Sequence, residues 1–270
     1  MDNNLPPHVL KTAQELLRTI VGSLNWLGVS TRPDIATITN LLAHYMHSAT
    51  PSHVAAAKYV LRYLKGTSHM GIRFSSRHTS HAAAYVQFPI PPSTILPLTD
   101  ANWGPQDASV PHPSQTYEDL DLFKSRSLSG FILWLGGPLH WVSKRQSCTA
   151  RSSAEAEIIA TDECLKWLQH IAHILDDLHL KAKFFPHKLP VYNDNNACVI
   201  WSKGKTTKGL RHIQMRENAI KELQSMDFVE VRHIRGDRNL SDMMTKEDKD
   251  DSHYIECRDA TMAYPPLSHT

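Results

Sequence analysis

The sequence predicts an α/β fold in which helices flank a mixed sheet, preceded by a small all-helical unit. From residue 8 to residue 66, apolar side chains recur at steps of three and four, which is the spacing of one helix face. Short β-type runs come next, then one long amphipathic segment, and after it strands alternate with helices. This order is typical of a layer of helices packed on a sheet of mixed strand direction.

The helical unit is delimited by its turn residues. Pro33 and Pro51 each begin an apolar-periodic run, because proline fits the first turn of a helix, and Gly66 ends the last run. Residues 75–97 mix Ser, His, Ala and Pro, which favours a connector over a helix or a central strand. The predicted units are a helical segment (1–74), a linker (75–97), an α/β domain (98–248) and a C-terminal tail (249–270).

The α/β domain is predicted from β-type runs and from helical periodicity. The predicted strands are 95–100, 130–135, 139–143, 189–193 and 228–234. The predicted helices are 153–180, 196–203, 213–226 and a short one from Ser241. Ile158, Leu165 and Leu168 belong to the buried stripe expected for the long helix.

The composition excludes several classes of protein. With 41% hydrophobic and 21% charged residues among 270, the chain is neither disordered nor collagen-like. Its four cysteines form no Cys-x-x-Cys pair, so neither a zinc knuckle nor a disulfide framework is indicated. The apolar stretches, such as 131–135, are too short to span a membrane, and the N-terminus lacks the features of a signal peptide. We therefore expect an intracellular protein with no membrane partner.

Acidic residues stand at the junctions between predicted elements. Asp100 and Asp194 each close a strand, and Asp242 stands at a helix start. Glu155 and Glu157 open the long helix, where they lie about 200° apart, so at most one can face the sheet. Each acid taken singly has an alternative interpretation as a turn or helix-capping residue. All of them together at such junctions favour a shared site, because ligands bind beyond the carboxyl ends of strands.

Ordered motifs around these acids resemble the ribonuclease H domain of copia-type retrotransposon polyproteins. The motifs include Thr-Asp-Ala-Asn-Trp (99–103), Trp-Val-Ser-Lys-Arg-Gln (141–146), Ala-Arg-Ser-Ser-Ala-Glu-Ala-Glu (150–157), Tyr-Asn-Asp-Asn-Asn-Ala (192–197), Arg-His-Ile (211–213) and Ser-Asp-Met-Met-Thr-Lys (241–246). Upstream, residues 21–27, 31–36 and 57–67 resemble the segment between polymerase and ribonuclease H in the same polyproteins. Ordered motifs along most of a chain are more specific than one short motif.

The resemblance implies a ribonuclease H-like mixed sheet and a two-metal hydrolase. Its catalytic and metal-binding acids carry over as Asp100, Glu157, Asp194 and Asp242, and Glu157 is preferred to Glu155 because it begins a Glu-x-x-Ala pattern. The implied cofactors are two Mg²⁺ ions, with Mn²⁺ as the alternative. The implied reaction is hydrolysis of the RNA strand of RNA/DNA hybrids during reverse transcription.

The resemblance also implies partners and a compartment. The partners are the RNA/DNA hybrid and the polymerase part of a Pol polyprotein, with no small-molecule cofactor, and the compartment is a cytoplasmic virus-like particle or the nucleus. A net charge of only +2 means that hybrid binding must come from a local basic cluster. The candidates are Lys203, Lys205, Thr206, Lys208 and Arg211, with Trp201 as a stacking surface. The alternative is a solvated basic loop beside a core tryptophan.

The sequence leaves several alternatives open. The copy is either an active ribonuclease H or a catalytically silent remnant that at most binds nucleic acid, and an integrase-like relative is disfavoured by the order of the acids. No Tyr-x-Asp-Asp motif of a polymerase palm occurs, and residues 105–124 replace a shorter loop of the family. His233 is a candidate for product release. The pairs His44/His47 and His170/His173 have metal-binding spacing but no evident third ligand.

Overall fold

The computed structural model describes residues 5–74, 85–87, 94–104, 126–185, 187–204, 211–246 and 251–262. The predicted helical segment is confirmed as three helices: α1 (Pro7–Ser30), α2 (Ala36–Ala43) and α3 (Pro51–Gly66), with a 3-10 turn at Pro33–Ile35. Their apolar faces enclose one core that includes Leu17, Leu24 and Ala57. The two prolines stand in the first turns, as their fixed φ favours.

The five predicted strands form one mixed sheet in the order β3-β2-β1-β4-β5. The strands are β1 (Leu96–Asn102), β2 (Leu128–Trp134), β3 (Pro138–Arg145), β4 (Leu189–Asn193) and β5 (Val229–His233). The first three pair antiparallel, whereas β4 runs parallel to β1 and to β5. The carboxyl ends of β1, β4 and β5 therefore lie at the same edge of the sheet.

Helices cover both faces of this sheet, which confirms the predicted α/β architecture. The further helices are α4 (Ser153–Asp177), α5 (Lys181–Phe184), α6 (Asn196–Lys203), α7 (Arg211–Ser225) and α8 (Asp251–Met262), with 3-10 helices at Gly236–Arg238 and Leu240–Met244. Successive β2 residues face different cores: Phe131 packs with Leu165 of α4, and Ile132 packs in the core that includes Met243. Burial on both faces explains why β2 reads as a continuous apolar run.

The helical unit packs directly on the α/β domain. The indole Nε1 of Trp141 on β3 donates to the carbonyl of Gly28 at 2.6 Å. The hydroxyl of Thr37 on α2 donates to the carbonyl of Met243 at 2.8 Å, which joins the unit to the second 3-10 helix. The helical unit therefore lies against one end of the sheet and against the segment that carries Asp242.

Two segments differ from the sequence-based expectation. The segment 249–270, expected to be a tail, contains α8, whose Cys257, Ala260 and Met262 are buried. The twelve residues of this helix include few strongly apolar side chains, so they give a weak helical pattern. The short helix expected from Ser241 is a 3-10 helix that begins at Leu240.

Candidate metal centre

Three of the predicted acids meet at the carboxyl edge of the sheet. Asp100 lies near the end of β1 and is 1% exposed, and Asp194 directly follows the adjacent parallel strand β4. Asp242 lies in the second 3-10 helix and is also buried. One carboxylate oxygen from each of these three residues lies within 4.8 Å of the others. The structure therefore gathers acids that are far apart in the chain into one cluster, called the acid cluster below.

Close packing of the second 3-10 helix against β2 brings Asp242 to this place. Gly130 on β2 pairs with Asp100 on β1, and a Cβ at Gly130 would lie 2.5 Å from Cβ of Met244. Only glycine permits the 3-10 helix to approach the strand so closely. Asn239 fixes the same helix, because its amide donates to the carbonyl of Thr99 at 2.9 Å.

The two glutamates of α4 have different environments. Glu157 is buried beside the acid cluster, where the amide of Asn193 donates to its Oε2 at 2.8 Å. Glu155 instead accepts a hydrogen bond from the backbone N–H of Arg151 at 2.8 Å, and its own N–H donates to the hydroxyl of Ser152 at 3.1 Å. Glu155 thus completes the helix cap, and Glu157 is the glutamate that faces the cluster.

Helix capping does not account for Asp194 or Asp242. The N-cap of α6 is Asn195, whose side chain accepts from the N–H groups of Ala197 and Cys198. The N-cap of the 3-10 helix is Asn239, whose side chain accepts from the N–H of Ser241. Asparagines therefore take the capping positions, and the capping interpretation of these two acids is wrong.

Burial and mutual repulsion raise the pKa of the acids. Burial, followed by the charge of Asp242, raises the pKa of Asp100 to about 7. Burial is also the main reason why the pKa of Glu157 and that of Asp194 lie above their ordinary values, and neighbouring carboxylates add to it. Such a cluster is costly to ionise unless cations neutralise it.

Two basic side chains of the site were missed by the sequence reasoning. Lys246 Nζ forms an ion pair with Oδ2 of Asp242, and His253 Nε2 lies 3.0 Å from the same oxygen. The acids Asp100 and Asp242 raise the pKa of Lys246 against the effect of burial. Lys246 is the last residue of the motif 241–246, so its spacing from Asp242 could have indicated that Lys246 belongs to the site. His253 lies on α8, and no motif in the sequence marked this residue as part of the site.

The acid cluster fits a divalent cation. Oδ1 of Asp242 is buried and has no hydrogen-bond partner among the described residues, although buried carboxylate oxygens are normally satisfied. The ligand atoms of the cluster are all carboxylate oxygens, which hard cations such as Mg²⁺ and Mn²⁺ prefer. A bound cation would both satisfy this oxygen and offset the repulsion between the acids.

Because the acid cluster is costly to ionise, we expect the metal-free protein to lose stability as the pH rises. Unfolded, Asp100 is ionised from pH 5 upward, whereas in the folded protein it releases its proton near pH 7. Between about pH 4 and pH 7 the folded state therefore holds more protons than the unfolded state, and stability should fall by about 3 kcal/mol from pH 5 to pH 8. Denaturant unfolding in EDTA at both pH values measures this loss. Asp100→Asn should flatten the slope, and an unchanged slope in that variant would contradict the assignment.

The predicted nucleic-acid-binding residues are only partly within the described ranges. Lys203 at the end of α6 is exposed, and its Nζ lies 3.7 Å from Oε1 of Glu230. Trp201 is half-buried and packs against the core. Lys205, Thr206, Lys208 and the side chain of Arg211 lie outside the described residues.

The histidines considered from the sequence are accounted for in different ways. His233 is exposed at the end of β5, with Nε2 at 3.1 Å from the carbonyl of Asp194. This position keeps it beside the acid cluster. Within the described ranges, neither His44/His47 nor His170/His173 belongs to a group of three or more ligating side chains.

Comparison with known proteins gives relatives of one kind along most of the chain. No family model matches. The Retrovirus-related Pol polyproteins from transposons RE2 and RE1 of Arabidopsis thaliana are 32% and 31% identical over 232 residues, which is 85% of this chain. That from transposon TNT 1-94 of Nicotiana tabacum is 29% identical over 228 residues. The chain spans only 14% to 15% of the length of these relatives.

Other similar proteins cover a smaller part of the chain. The Secreted RxLR effector protein 161 of Plasmopara viticola is 32% identical over 152 residues, which is 55% of this chain and 87% of that protein. A solved structure of LC11-RNase H1, isolated from compost, is 18% identical with a TM-score of 0.40, covering 57% of this chain and 93% of its own. The same protein in complex with an RNA/DNA hybrid gives 16% identity and a TM-score of 0.39, covering 58% and 98% of the two chains. In the described part of the chain, no helix is long and apolar enough to span a membrane.

Proposed function

The chain belongs to the copia-type retrotransposon Pol polyproteins, and from this premise we propose that its α/β domain is the ribonuclease H of such a polyprotein. The proposed reaction is hydrolysis of the RNA strand of RNA/DNA hybrids during reverse transcription, in the cytoplasmic virus-like particle or the nucleus. The single observation that carries the proposal is the acid cluster, with Glu157 buried beside it. Buried carboxylates that repel one another are poor stabilisers, so a role in holding cations accounts for them better than a role in folding.

The proposed site holds two Mg²⁺ ions, with Mn²⁺ as a substitute. Asp100, Asp194 and Asp242, with Glu157 beside them, would be the residues that hold these ions. When bound, the two ions activate a water molecule and stabilise the leaving oxygen of the phosphodiester. The protein contributes fixed ligands, because Asn193 holds Glu157 and the hydroxyl of Thr245 holds Asp100.

Substrate selection is proposed to rest on the 2′-hydroxyl groups of the RNA strand. These groups lie in the shallow minor groove, where backbone and small polar side chains can contact them. We propose that the basic cluster from Lys203 to Arg211 contacts phosphates, with Trp201 beside it. The exposed ammonium of Lys203 supports this proposal, and its ion pair with Glu230 limits its strength.

The proposed domain organisation follows from the same premise. Residues 1–74 would form the connection between polymerase and ribonuclease H, 75–97 the linker and 98–248 the catalytic domain. The further proposed partner is the polymerase part of the Pol polyprotein.

Cleavage of a labelled RNA/DNA hybrid tests the proposed function. The wild-type chain is expected to cut the RNA strand in Mg²⁺ and not in EDTA, and to leave RNA/RNA and DNA/DNA duplexes intact. Asp194→Asn is the blank, because it removes a charged ligand with little change in shape. A folded wild-type protein that binds the hybrid without cutting it would instead identify a catalytically silent remnant.

A further inference from the structure

His253 contacts the acid cluster from a helix that the sequence did not predict. Its Nε2 lies 3.0 Å from Oδ2 of Asp242, which is the oxygen that also pairs with Lys246. Both basic groups therefore act on one oxygen of this carboxylate. The other oxygen, Oδ1, is left buried and without a partner among the described residues. The two contacts thus leave Oδ1 as the oxygen of Asp242 that is open to a further ligand.

The other ring nitrogen of His253 also has a partner. Its Nδ1 lies 3.4 Å from the hydroxyl of Tyr85, which is itself 3.1 Å from Sγ of Cys257. When the Tyr85 hydroxyl donates to Nδ1, the proton of a neutral imidazole lies on Nε2 and points to Asp242. The same contacts hold the plane of the ring. His253 is therefore engaged on both sides and has no nitrogen left to bind a cation itself.

The helix that carries His253 is fixed at two places. Cys257, one turn further along α8, is fully buried in the core under the sheet. Tyr254 donates from its hydroxyl to the carbonyl of Asp34 at 2.7 Å, which ties α8 to the N-terminal helical unit. Lys246, in contrast, has a side chain that is 41% exposed. His253 is thus the donor to Asp242 that lies on an anchored helix, and Lys246 is the more exposed of the two.

We propose that His253 is a positioning residue, which orients the carboxylate of Asp242 so that Oδ1 faces the divalent cation. This inference deepens the proposed function and rests on its metal site. Carboxylate ligands of metals are commonly fixed by such hydrogen bonds, and their loss weakens metal binding by about 10- to 100-fold. The C-terminal helix then belongs to the site, and the helical unit supports it through Tyr254.

Binding of Mn²⁺ alone to the full chain, followed by the electron paramagnetic resonance signal of free Mn²⁺, tests this role. His253→Ala should weaken binding by roughly tenfold or more. His253→Gln should retain most of the affinity, because the glutamine amide nitrogen can occupy the place of Nε2. His253→Asn should not, since its shorter side chain reaches Tyr85 but not Asp242. His173→Gln, at an exposed position of α4, is the matched control.

A second measurement separates positioning from folding. In hybrid cleavage, His253→Asn should raise the Mg²⁺ concentration for half-maximal rate about tenfold, with most of the rate recovered at saturation. A loss of folded protein would instead lower the rate at every Mg²⁺ concentration, and that result would overturn the proposal.

The other possible results of the Mn²⁺ binding and cleavage experiments test the role of His253 separately from the ribonuclease H proposal. Wild-type affinity in His253→Ala, or equal losses in the Gln and Asn variants, would overturn the role of His253 and leave the ribonuclease H proposal intact. A wild-type chain that binds Mn²⁺ but cuts no hybrid would refute hydrolysis, while the role of His253 would stand on the binding data. A folded wild-type chain that binds no Mn²⁺ would refute both.

Discussion

Asp100→Asn is expected to reduce cleavage of an RNA/DNA hybrid by about 10³-fold or more and to make the metal-free protein more stable. The loss of activity follows because the amide supplies a weaker, uncharged ligand where metal catalysis contributes several kcal/mol. The gain in stability follows because Asp100 is 1% exposed and its charge is opposed by burial and by Asp242. Opposite effects on activity and stability are characteristic of a functional residue.

Single-turnover cleavage and denaturant unfolding in EDTA at pH 8 measure the two effects on the same preparation. Asp177→Asn, at the exposed end of α4, makes the same chemical change away from the site and should alter neither quantity. Retained cleavage in Asp100→Asn would remove Asp100 from the site. A large loss of stability would show that its carboxylate supports the fold instead.

The second prediction with a large expected effect distinguishes the roles of Glu157 and Glu155, which lie two residues apart on α4. Glu157→Gln should reduce cleavage by roughly 10²- to 10³-fold, because the residue beside the acid cluster loses the charge that a cation requires. Glu155→Gln should cleave at close to the wild-type rate and lose about 1 kcal/mol of stability, because only the charged acceptor at the helix cap is weakened.

The pair is its own control, since both variants replace a buried glutamate of the same helix turn by glutamine. Cleavage rates are compared at equal concentrations of folded protein, established from urea unfolding curves. If Glu155→Gln lost activity and Glu157→Gln kept it, the assignment of the two glutamates would be reversed.

The sequence predicted the elements well because their signals are local. The apolar stripe of α4 and the β-type runs depend on neighbouring residues, and their positions agree with the structure within a few residues. The acids could be grouped because strand ends in parallel strands meet at one sheet edge. Glu157 could be chosen over Glu155 only because it begins the Glu-x-x-Ala pattern of the family resemblance, since the geometry of a helix leaves open which of the two faces the sheet.

The surroundings of the acids could not be predicted, because they depend on contacts between distant segments. His253 reaches Asp242 only because Cys257 is buried under the sheet and Tyr254 contacts the helical unit. Neither contact leaves a periodic pattern in the sequence. The same limit applied to the cap of α6, where Asp194 and the adjacent Asn195 are equally good candidates until the turn is known.

The geometry of the site depends on Gly130, although this residue has no side chain that could take part in the reaction. A single methyl group there would meet Met244 and Thr245, so the 3-10 helix would have to move away from the strand. Asp242 and the hydroxyl that holds Asp100 would move with it. In a library of random substitutions, inactivating changes should therefore occur at a glycine of the middle of the sheet as well as at the acids. A copy of this element with every acid intact can be inactive through that one position.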